Sequence, residues 1–328
     1  MTRHWCDSSA ERRLALLQLL ADGQFHSGAA LGARLGVSRA AVHKQIAALS
    51  ELGIDCHAVQ GRGYRLAQPL EPLQPQQWQP PLDNGAVVLS IDSTNGALMR
   101  ERRQLPTGYV LLAEHQSAGR GRRGRGWVSP PATNLYLSLL WRFDQGLEAV
   151  LGLSQAVALA CVDALQAVGA QGLQLKWPND LLWQERKLGG ILIELAGQPG
   201  EPTDVVVGVG LNLQMSDSAA AAIDQPWVDL ATVLGQRPPR NRLAATLVAA
   251  LRAELGRFEG EGLSPRLAQW QQHDAFDQQP VKLLLGPQRV VTGVVAGIDH
   301  QGALLLQTDG AIERFLGGEV SLRGVRHD

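Results

Sequence analysis

The sequence predicts an α+β protein in three parts: a winged helix-turn-helix, a mixed α/β domain and a small β-barrel. Three short amphipathic patterns and a glycine-containing hairpin come first, and a Pro- and Gln-rich stretch follows them. Longer apolar strands and helices then alternate, and the C-terminal part contains only short strands between turn residues. With 328 residues, 45% of them hydrophobic and 19% charged, the chain can bury several cores, which excludes disorder and coiled coil.

Residues 1–66 carry the pattern of a winged helix-turn-helix. The expected N-caps of its three helices are Ser8 (in a capping box with Glu11), Ser27 and Ser38. In the third helix, Val42, Ile46 and Leu49 share one face, which predicts that this face is buried. Strands over 54–59 and 64–66, joined by a turn that contains two glycines, then form the wing.

This first part has the charge expected of a nucleic-acid-binding domain. It contains eight Lys or Arg against five Asp or Glu, which gives a net charge of +3. The expected DNA-contacting residues lie on the third helix and the wing, and they are Ser38, Arg39, His43, Lys44 and Arg62. The alternative is a three-helix protein-interaction domain with a solvated basic face; the turn spacing and the wing favour DNA.

The rest of the chain divides at changes of composition. Residues 67–82 are too rich in Pro and Gln for a helix or a central strand, and they predict a linker or a semi-extended connection. We assign 83–274 to the α/β domain and 275–328 to the barrel. The strands expected in the α/β domain cover 86–91, 110–114, 135–141, 173–177, 190–195 and 205–213, with helices over 147–168 and 242–258. The barrel strands are expected over 281–285, 290–298, 303–307 and 312–316.

Several classes of protein are not expected. No apolar run reaches the roughly 18 residues of a membrane span, and the first residues lack an apolar signal core, so we expect a cytoplasmic protein without a membrane contact. Cys6, Cys56 and Cys161 have neither zinc-site nor disulfide-framework spacing. We therefore expect no metal ion held by fixed protein ligands.

Four segments of the α/β domain concentrate chemistry-bearing residues. Residues 119–127 alternate Gly and Arg, which predicts an anion-binding loop; it lacks the ending of a P-loop, and a disordered RGG-like nucleic-acid segment is the alternative. Residues 176–180 deliver an amide and a carboxylate to a turn, and 186–191 return to the sheet. Residues 208–212 are only weakly similar to a nucleotide fingerprint.

Taken together and in this order, the motifs resemble those of the biotin protein ligases. The matching motifs are Ser93-Thr94-Asn95, Gln116, GRGRRGRGW, KWPNDL, RKLGGILIE and VGVGLN. With the winged helix and the barrel, the resemblance covers nearly the whole chain and is closest to the bifunctional bacterial form, a ligase that also represses the biotin operon. It implies an α/β catalytic domain related to class II synthetases and an SH3-like C-terminal barrel.

The resemblance implies a reaction in two steps. Biotin and ATP, with Mg²⁺, form biotinyl-5'-AMP and pyrophosphate, and a lysine of the biotin carboxyl carrier protein of acetyl-CoA carboxylase then displaces AMP. It also implies that the chain forms a homodimer when biotinyl-AMP is bound, and that this dimer binds operator DNA. Charge on the phosphates is the main obstacle to the first step, so cationic side chains are expected around them.

The resemblance assigns roles to individual residues. The catalytic residues it implies are Lys187, Arg120, Arg122 and Asp180. The biotin-binding residues it implies are Ser93, Thr94, Asn95, Gln116, Arg120, Gly121, Arg122 and Lys187. The residues it implies for ATP and the adenylate are Arg122, Arg123, Lys176, Asn179, Asn212 and Trp227.

Three other functions remain open at this point. The chain could be a sensor that binds biotinyl-AMP as a corepressor without transferring it, and the intact arginine loop and Lys187 speak against this. It could also be a ligase that has lost operator binding. A lipoate ligase shares a related fold, but GRGRRGRGW differs from the loop of that class.

Overall fold

A computed structural model describes residue 5 and residues 7–198, 201–285 and 289–316, and the backbone of 320–324. The N-terminal domain contains helices α1 (Ser8–Leu20), α2 (Gly28–Leu35) and α3 (Arg39–Glu51) and strands β1 (Cys56–Val59) and β2 (Gly63–Leu66). Cys6 lies outside the described residues. The predicted winged helix-turn-helix is confirmed.

The helix caps follow the sequence signals with one exception. The hydroxyls of Ser27 and Ser38 accept hydrogen bonds from backbone amides three residues later, as predicted for α2 and α3. Helix α1 differs, because Asp7 and not Ser8 is its N-cap, and the Asp7 carboxylate accepts from the Ala10 amide at 2.7 Å. A carboxylate at this position also complements the positive end of the helix.

The N-terminal domain packs directly on the domain that follows it. Its buried core includes Leu16, Val42 and Leu49, and it continues into Leu89 and Ala132 of the α/β domain. The chain before α2 adds a third strand-like segment to the wing, because His26 and Tyr64 form an antiparallel bridge.

The α/β domain is built on one seven-stranded mixed sheet. Its elements are β3 (Gly85–Ile91), α4 (Thr94–Glu101), β4 (Val110–Gln116), β5 (Leu135–Phe143), α5 (Leu153–Ala167), β6 (Leu173–Lys176), β7 (Asp180–Trp183), β8 (Arg186–Ala196), β9 (Thr203–Leu211), α6 (Asp217–Ala220), α7 (Leu230–Leu234), α8 (Arg240–Glu261) and α9 (Leu267–His273). The strand order is β3-β4-β5-β9-β8-β7-β6, and only β3 and β4 run parallel. Helices α5 and α8 cover one face, whereas α4 covers only part of the other.

Five elements of this domain were not predicted and one was misplaced. Helix α4 and strand β7 begin inside segments interpreted as ligand motifs, and α6, α7 and α9 have at most seven residues each. The helix expected over 147–168 begins only at Leu153, because Gly152 adopts a φ of 83° and a 3-10 turn precedes it. Gly152 also lies against Leu263, where a Cβ would approach to 3.1 Å.

Among the described residues, the segment Leu147–Ala167 is long and apolar enough to span a membrane by length and composition alone. It is not an uninterrupted apolar run, because Glu148 and Asp163 lie within it. In the fold it includes α5, whose side chains from Leu153 to Leu165 are almost all buried in the core. The segment is therefore the central helix of a packed domain.

Residues 67–82 connect the two domains without a regular helix or strand, apart from a 3-10 turn, but they are not a free tether. Leu73 and Trp78 are buried, and the Glu71 carboxylate accepts hydrogen bonds from the backbone amides of Arg240 and Asn241. Glu71 thereby caps α8, whose own N-cap residue is a proline with no side-chain cap.

A buried ion pair joins this connection to the sheet. Glu114 and Arg240 lie 2.7 Å apart with almost no exposed side-chain surface, and Glu114 also accepts a hydrogen bond from the Leu73 amide at 2.6 Å. The Gln18 side chain of α1 donates to the Leu73 carbonyl at 2.7 Å. The second half of the connection is therefore part of the α/β domain.

This packing predicts where the chain can be cut. A protein beginning at residue 68 should fold and lose only the N-terminal domain, whereas one beginning at residue 84 should unfold at a lower urea concentration. The longer deletion removes two buried apolar side chains, removes the Leu73 amide that bonds to Glu114, and leaves the Asn241 side chain without its partners, at a cost of about 1–3 kcal/mol for each unsatisfied group. Urea unfolding followed by circular dichroism tests this, and equal midpoints for the two proteins would contradict it.

The C-terminal part forms a five-stranded antiparallel sheet, as expected for a small barrel. Its strands are β10 (Pro280–Leu285), β11 (Arg289–Ile298), β12 (Leu304–Gln307), β13 (Ile312–Phe315) and β14 (Val320–Gly324), in the order β13-β12-β11-β10-β14. Its buried residues continue the main core. The indole of Trp177 donates to the Gly302 carbonyl at 2.9 Å, so the barrel supports the turn that carries Asn179 and Asp180.

Candidate active site

A cavity of about 1580 Å³ lies over the face of the sheet that α4 leaves uncovered. Its walls come from the start of α4, the turn between β6 and β7, the beginning of β8, and residues 119–127, which we call the Gly/Arg loop. The predicted site residues that line it are Ser93, Thr94, Asn95, Gln116, Arg120, Gly121, Arg122, Arg123, Lys176, Asn179, Asp180 and Lys187. The fold thus brings twelve of the fourteen predicted ligand-site residues to one place.

The floor of the cavity consists of small residues on three adjacent strands. Ser138 pairs with Gly208, and Gly210 pairs with Gly190, so their positions face the same side of the sheet. A Cβ on Gly208 would lie 2.2 Å from the Asn95 amide oxygen, and one on Gly210 would lie 2.6 Å from the Trp127 indole. These glycines therefore make room for Asn95 and Trp127.

Neutral polar groups line the end of the cavity near α4. Ser93 caps this helix, and the Gln116 side-chain oxygen accepts from the Thr94 amide at 2.9 Å. The Ser138 hydroxyl donates to the Asn95 side-chain oxygen at 2.5 Å. Ser93, Thr94, Asn95 and Ser138 are all buried, so this end holds fixed donors and acceptors without a net charge.

The Gly/Arg loop is folded onto itself, which contradicts the disordered alternative. Backbone bonds from Trp127 to Gly119 and from Gly121 to Arg125, each 2.8 Å, close it. Arg120 forms an ion pair with Glu194 at 3.0 Å, with half of its side-chain surface exposed.

Arg122 and Arg123 differ in environment. The Arg122 guanidinium donates to the Asn179 amide oxygen at 3.1 Å, and burial, reinforced by the neighbouring Arg123, lowers its pKa. Arg123 is exposed and has a φ of 58°. The loop thus contributes one anchored guanidinium inside the cavity and one exposed guanidinium at its rim.

Lys187 and Asp180 form the central charged pair. Their side chains meet at 2.8 Å, with only 17% and 20% of their surfaces exposed. The two residues come from paired strands, β7 and β8, beside a register irregularity. The Lys187 ammonium also lies 5.6 Å from the centre of the Trp127 ring, within the range of a cation–π contact.

Two predicted adenylate residues do not line the cavity. The Asn212 side chain is buried and donates to the carbonyls of Lys187 and Val228, both at 3.3 Å, so it holds the start of β8 from behind. Asn212 thus has a structural role here, and its predicted contact with the adenylate stays a prediction. Trp227 is half-buried beside the backbone of Lys187, and its role toward adenine stays a prediction.

One wall of the cavity was not predicted from the sequence. It is formed by the segment that leads into the barrel, which includes Asp274, Phe276 and Lys282. The Lys176 ammonium lies 6.0 Å from the centre of the Phe276 ring, and burial raises the pKa of Asp274 to about 6. This segment follows Lys176 by about a hundred residues and contains none of the predicted motifs. It reaches the cavity only because the C-terminal barrel packs there.

The predicted DNA-contacting residues form a second, separate surface. Arg39, His43 and Lys44 are exposed on α3, and the Ser38 hydroxyl is used as the helix cap. Arg62, on the wing, lies 4.3 Å from the centre of the Phe25 ring, and Arg65 lies 4.8 Å from the same ring. Arg65 was not among the predicted contacts.

The cavity can bind a ligand that is neutral at one end and strongly anionic at the other. Its cationic groups are Lys187 and the arginines of the Gly/Arg loop, and its neutral end is formed by the polar side chains near α4. The Asp180 carboxylate contacts Lys187. Among the described residues, no three His, Cys, Asp or Glu side chains converge as metal ligands would.

Comparison with known proteins agrees with this architecture. Residues 87–212 match the Biotin/lipoate A/B protein ligase family, 12–65 match an HTH domain, and 279–323 match the Biotin protein ligase C terminal domain. The bifunctional ligase/repressor BirA of Salmonella typhimurium is 47% identical over 312 residues, which cover 94% of this chain and 97% of that protein.

More distant relatives match a smaller share of the chain. The biotin–[acetyl-CoA-carboxylase] ligase of Mycobacterium tuberculosis is 36% identical, over 71% of this chain and 87% of that protein. The solved biotin protein ligase from Aquifex aeolicus, in complex with biotin and ATP, superimposes with a TM-score of 0.61 at 27% identity over 74% of this chain and all of that one. The chain therefore belongs to the biotin protein ligase family, in its bifunctional ligase/repressor form.

Proposed function

We propose that the protein is an ATP-dependent biotin protein ligase and a biotinyl-AMP-dependent repressor. The ligase function is supported by a cavity in which neutral polar side chains lie at one end. The Lys187–Asp180 pair and Arg122 lie in the same cavity. A ureido ring has one carbonyl acceptor and two N–H donors and suits the neutral end. A carboxylate and the phosphates of ATP suit the cationic end.

In the first step the biotin carboxylate attacks the α-phosphorus of ATP, and pyrophosphate leaves. Lys187 lies within the cavity as a compact charge that can bridge the carboxylate and the α-phosphate. Arg120, Arg122 and Arg123 supply guanidiniums for the carboxylate and the departing pyrophosphate. Asn179 fixes Arg122 by the hydrogen bond between their side chains.

Mg²⁺ is expected to bind together with ATP rather than alone. Asp180 is the carboxylate closest to Lys187, and Mg²⁺ in nucleotide sites is commonly held by one or two carboxylates plus substrate phosphates. The residues present therefore fit a Mg²⁺ brought by the nucleotide. The ion would neutralise phosphate charge, while Lys187 and the arginines remain the fixed part of the site.

In the second step an acceptor lysine attacks the acyl carbon of biotinyl-AMP, and AMP leaves. We assign the acceptor to the biotin carboxyl carrier protein of acetyl-CoA carboxylase. We assign to Asp180 the proton of the incoming ammonium, because Asp180 lines the cavity and contacts Lys187. Trp227 is expected to stack on adenine.

The N-terminal domain supplies the repressor function. Its recognition helix and wing present exposed cations on a surface separate from the cavity, so both functions can operate in one chain. We propose that biotinyl-AMP favours a homodimer, which reads a two-fold symmetric operator. ATP and DNA are both found in the cytoplasm, where we place the protein.

The direct test of the first step is to isolate its product. The full-length protein is incubated with biotin, ATP and Mg²⁺ without an acceptor, and the bound small molecule is identified by mass spectrometry while pyrophosphate is measured. Biotinyl-5'-AMP with an equal amount of pyrophosphate is expected. Adenylate formed from lipoate but not from biotin would instead establish the lipoate ligase, and no adenylate from either acid would reject the ligase function.

The floor of the cavity provides a separate prediction. Gly210→Ala should raise the KM for biotin about tenfold or more, with a smaller change in kcat, because the new methyl group displaces the Trp127 indole from the cavity wall. Gly256→Ala is the matched control, since a Cβ there meets nothing within 4 Å. Steady-state pyrophosphate release measures both, and an unchanged KM in Gly210→Ala would show that Trp127 does not shape the biotin site.

A further inference from the structure

The third helix, α3, is the expected recognition helix, and its exposed His43 side chain contacts the wing. His43 is exposed and follows the buried Val42 on α3, and its Nδ1 lies 3.2 Å from the Tyr64 hydroxyl of β2. The two rings are 6.5 Å apart at an angle of 40°. The wing thus contacts the helix through this side-chain pair.

Tyr64 is itself firmly positioned. Its backbone exchanges two hydrogen bonds with His26, of 2.8 and 2.9 Å, which join β2 to the chain before α2. A Cβ on Gly28 would lie 3.5 Å from the Tyr64 ring, so the ring packs closely against the start of α2. The Tyr64 hydroxyl is therefore held in place, and its hydrogen bond to Nδ1 orients the His43 imidazole.

Engagement of Nδ1 leaves Nε2 of the exposed ring for an external partner. When the Tyr64 hydroxyl donates to Nδ1, the neutral imidazole carries its proton on Nε2. When the imidazole is protonated, Nε2 also carries a proton, and the tyrosine oxygen accepts from Nδ1. In these two states Nε2 is a donor, and a donor in the major groove can bond to purine N7 or guanine O6. In the other neutral tautomer Nδ1 donates to the tyrosine oxygen and Nε2 is an acceptor.

We propose that Tyr64 positions His43 to donate a hydrogen bond to the N7 of one purine in each operator half-site. This inference rests on the proposed repressor function. It adds a base contact by His43 and a positioning role for Tyr64. Arg39 and Lys44, exposed on the same helix, carry positive charge suited to phosphates, which hold the helix in register without reading sequence. His43 would then supply sequence discrimination, and Tyr64 would be a positioning residue.

The test uses the full-length protein with biotin, ATP and Mg²⁺. A preferred duplex is first selected from random DNA, and each purine of one half-site is then replaced by its 7-deaza analogue, which lacks the N7 acceptor. We expect one position at which the replacement weakens binding by the wild type about fivefold or more and has no effect on His43→Ala. Tyr64→Phe should lose most of this sensitivity while its affinity for unselected DNA stays unchanged.

Lys44→Gln is the matched control on the same helix. It should weaken binding to selected and unselected DNA alike, lower the salt dependence by about one phosphate contact, and keep the 7-deaza sensitivity. Full sensitivity in Tyr64→Phe, or a scan with no position that depends on His43, would overturn the inference alone. Failure of the wild type to select any duplex would overturn the repressor function and this inference together.

Discussion

Lys187→Ala should slow the formation of biotinyl-AMP by about two orders of magnitude or more while the protein stays folded. Removing a charge that acts on the transition state typically has an effect of this size. The Lys187 side chain lies in the cavity beside Asp180 and not in the apolar core, so its loss should cost little stability. Arg122→Ala should act in the same direction, because it removes the guanidinium that Asn179 anchors.

The measurement is pyrophosphate release that depends on both biotin and ATP, with circular dichroism to establish folding. Lys44→Ala is the matched control, since it removes an exposed lysine of the N-terminal domain and should leave the rate unchanged. Rates near that of the wild type in both cavity variants would reject the assignment of the cationic end to adenylate formation.

Operator affinity should rise by about a hundredfold or more when biotin and ATP are both present. One winged helix with a net charge of +3 offers few phosphate contacts, whereas a two-fold dimer doubles them and reads a palindrome. We expect the adenylate to favour the dimer through the Gly/Arg loop, because Arg122 and Arg123 supply charges that its phosphate would contact.

Sedimentation of the protein with biotin alone, with ATP alone and with both tests this coupling. Only the third sample makes the adenylate, so only that sample should shift toward the dimer and bind operator tightly. An equal monomer fraction in all three samples would contradict ligand-linked dimerisation, and tight operator binding in all three would contradict ligand control.

Local sequence patterns predicted helices and strands well where residues within or next to an element determine where it begins and ends. Ser27 and Ser38 cap their helices as expected, and the strands of the α/β domain lie close to their predicted positions. One miss arises where a neighbouring element decides. The predicted helix begins later than expected, at Leu153, because the conformation of Gly152 is left-handed and Leu263 packs against it.

The site was predictable only in part, for a related reason. The motifs identified the side chains that carry charge or hydrogen bonds, and twelve of the fourteen line one cavity. The roles of Gly208 and Gly210 depend on strand register, because only the pairing of β9 with its neighbours brings them beneath Asn95 and Trp127. Glu71 capping a helix 169 residues later is likewise a product of the tertiary fold.

The connection shows how composition can describe a segment correctly and still miss its role. Its prolines do prevent a helix or strand, as expected for a linker. Packing nevertheless buries Leu73 and Trp78, and the Glu114–Arg240 pair holds the Leu73 backbone. No periodicity in the segment itself signals those contacts.

The most direct test of the ligase is the intact mass of an acceptor. A purified biotin carboxyl carrier domain is incubated with the protein, biotin, ATP and Mg²⁺, and parallel samples each omit one component. The account predicts that the acceptor gains the mass of one biotinyl group on its lysine only in the complete mixture. An unchanged acceptor in a mixture that still forms biotinyl-AMP would show that the chain senses the adenylate without transferring it, and would contradict the account.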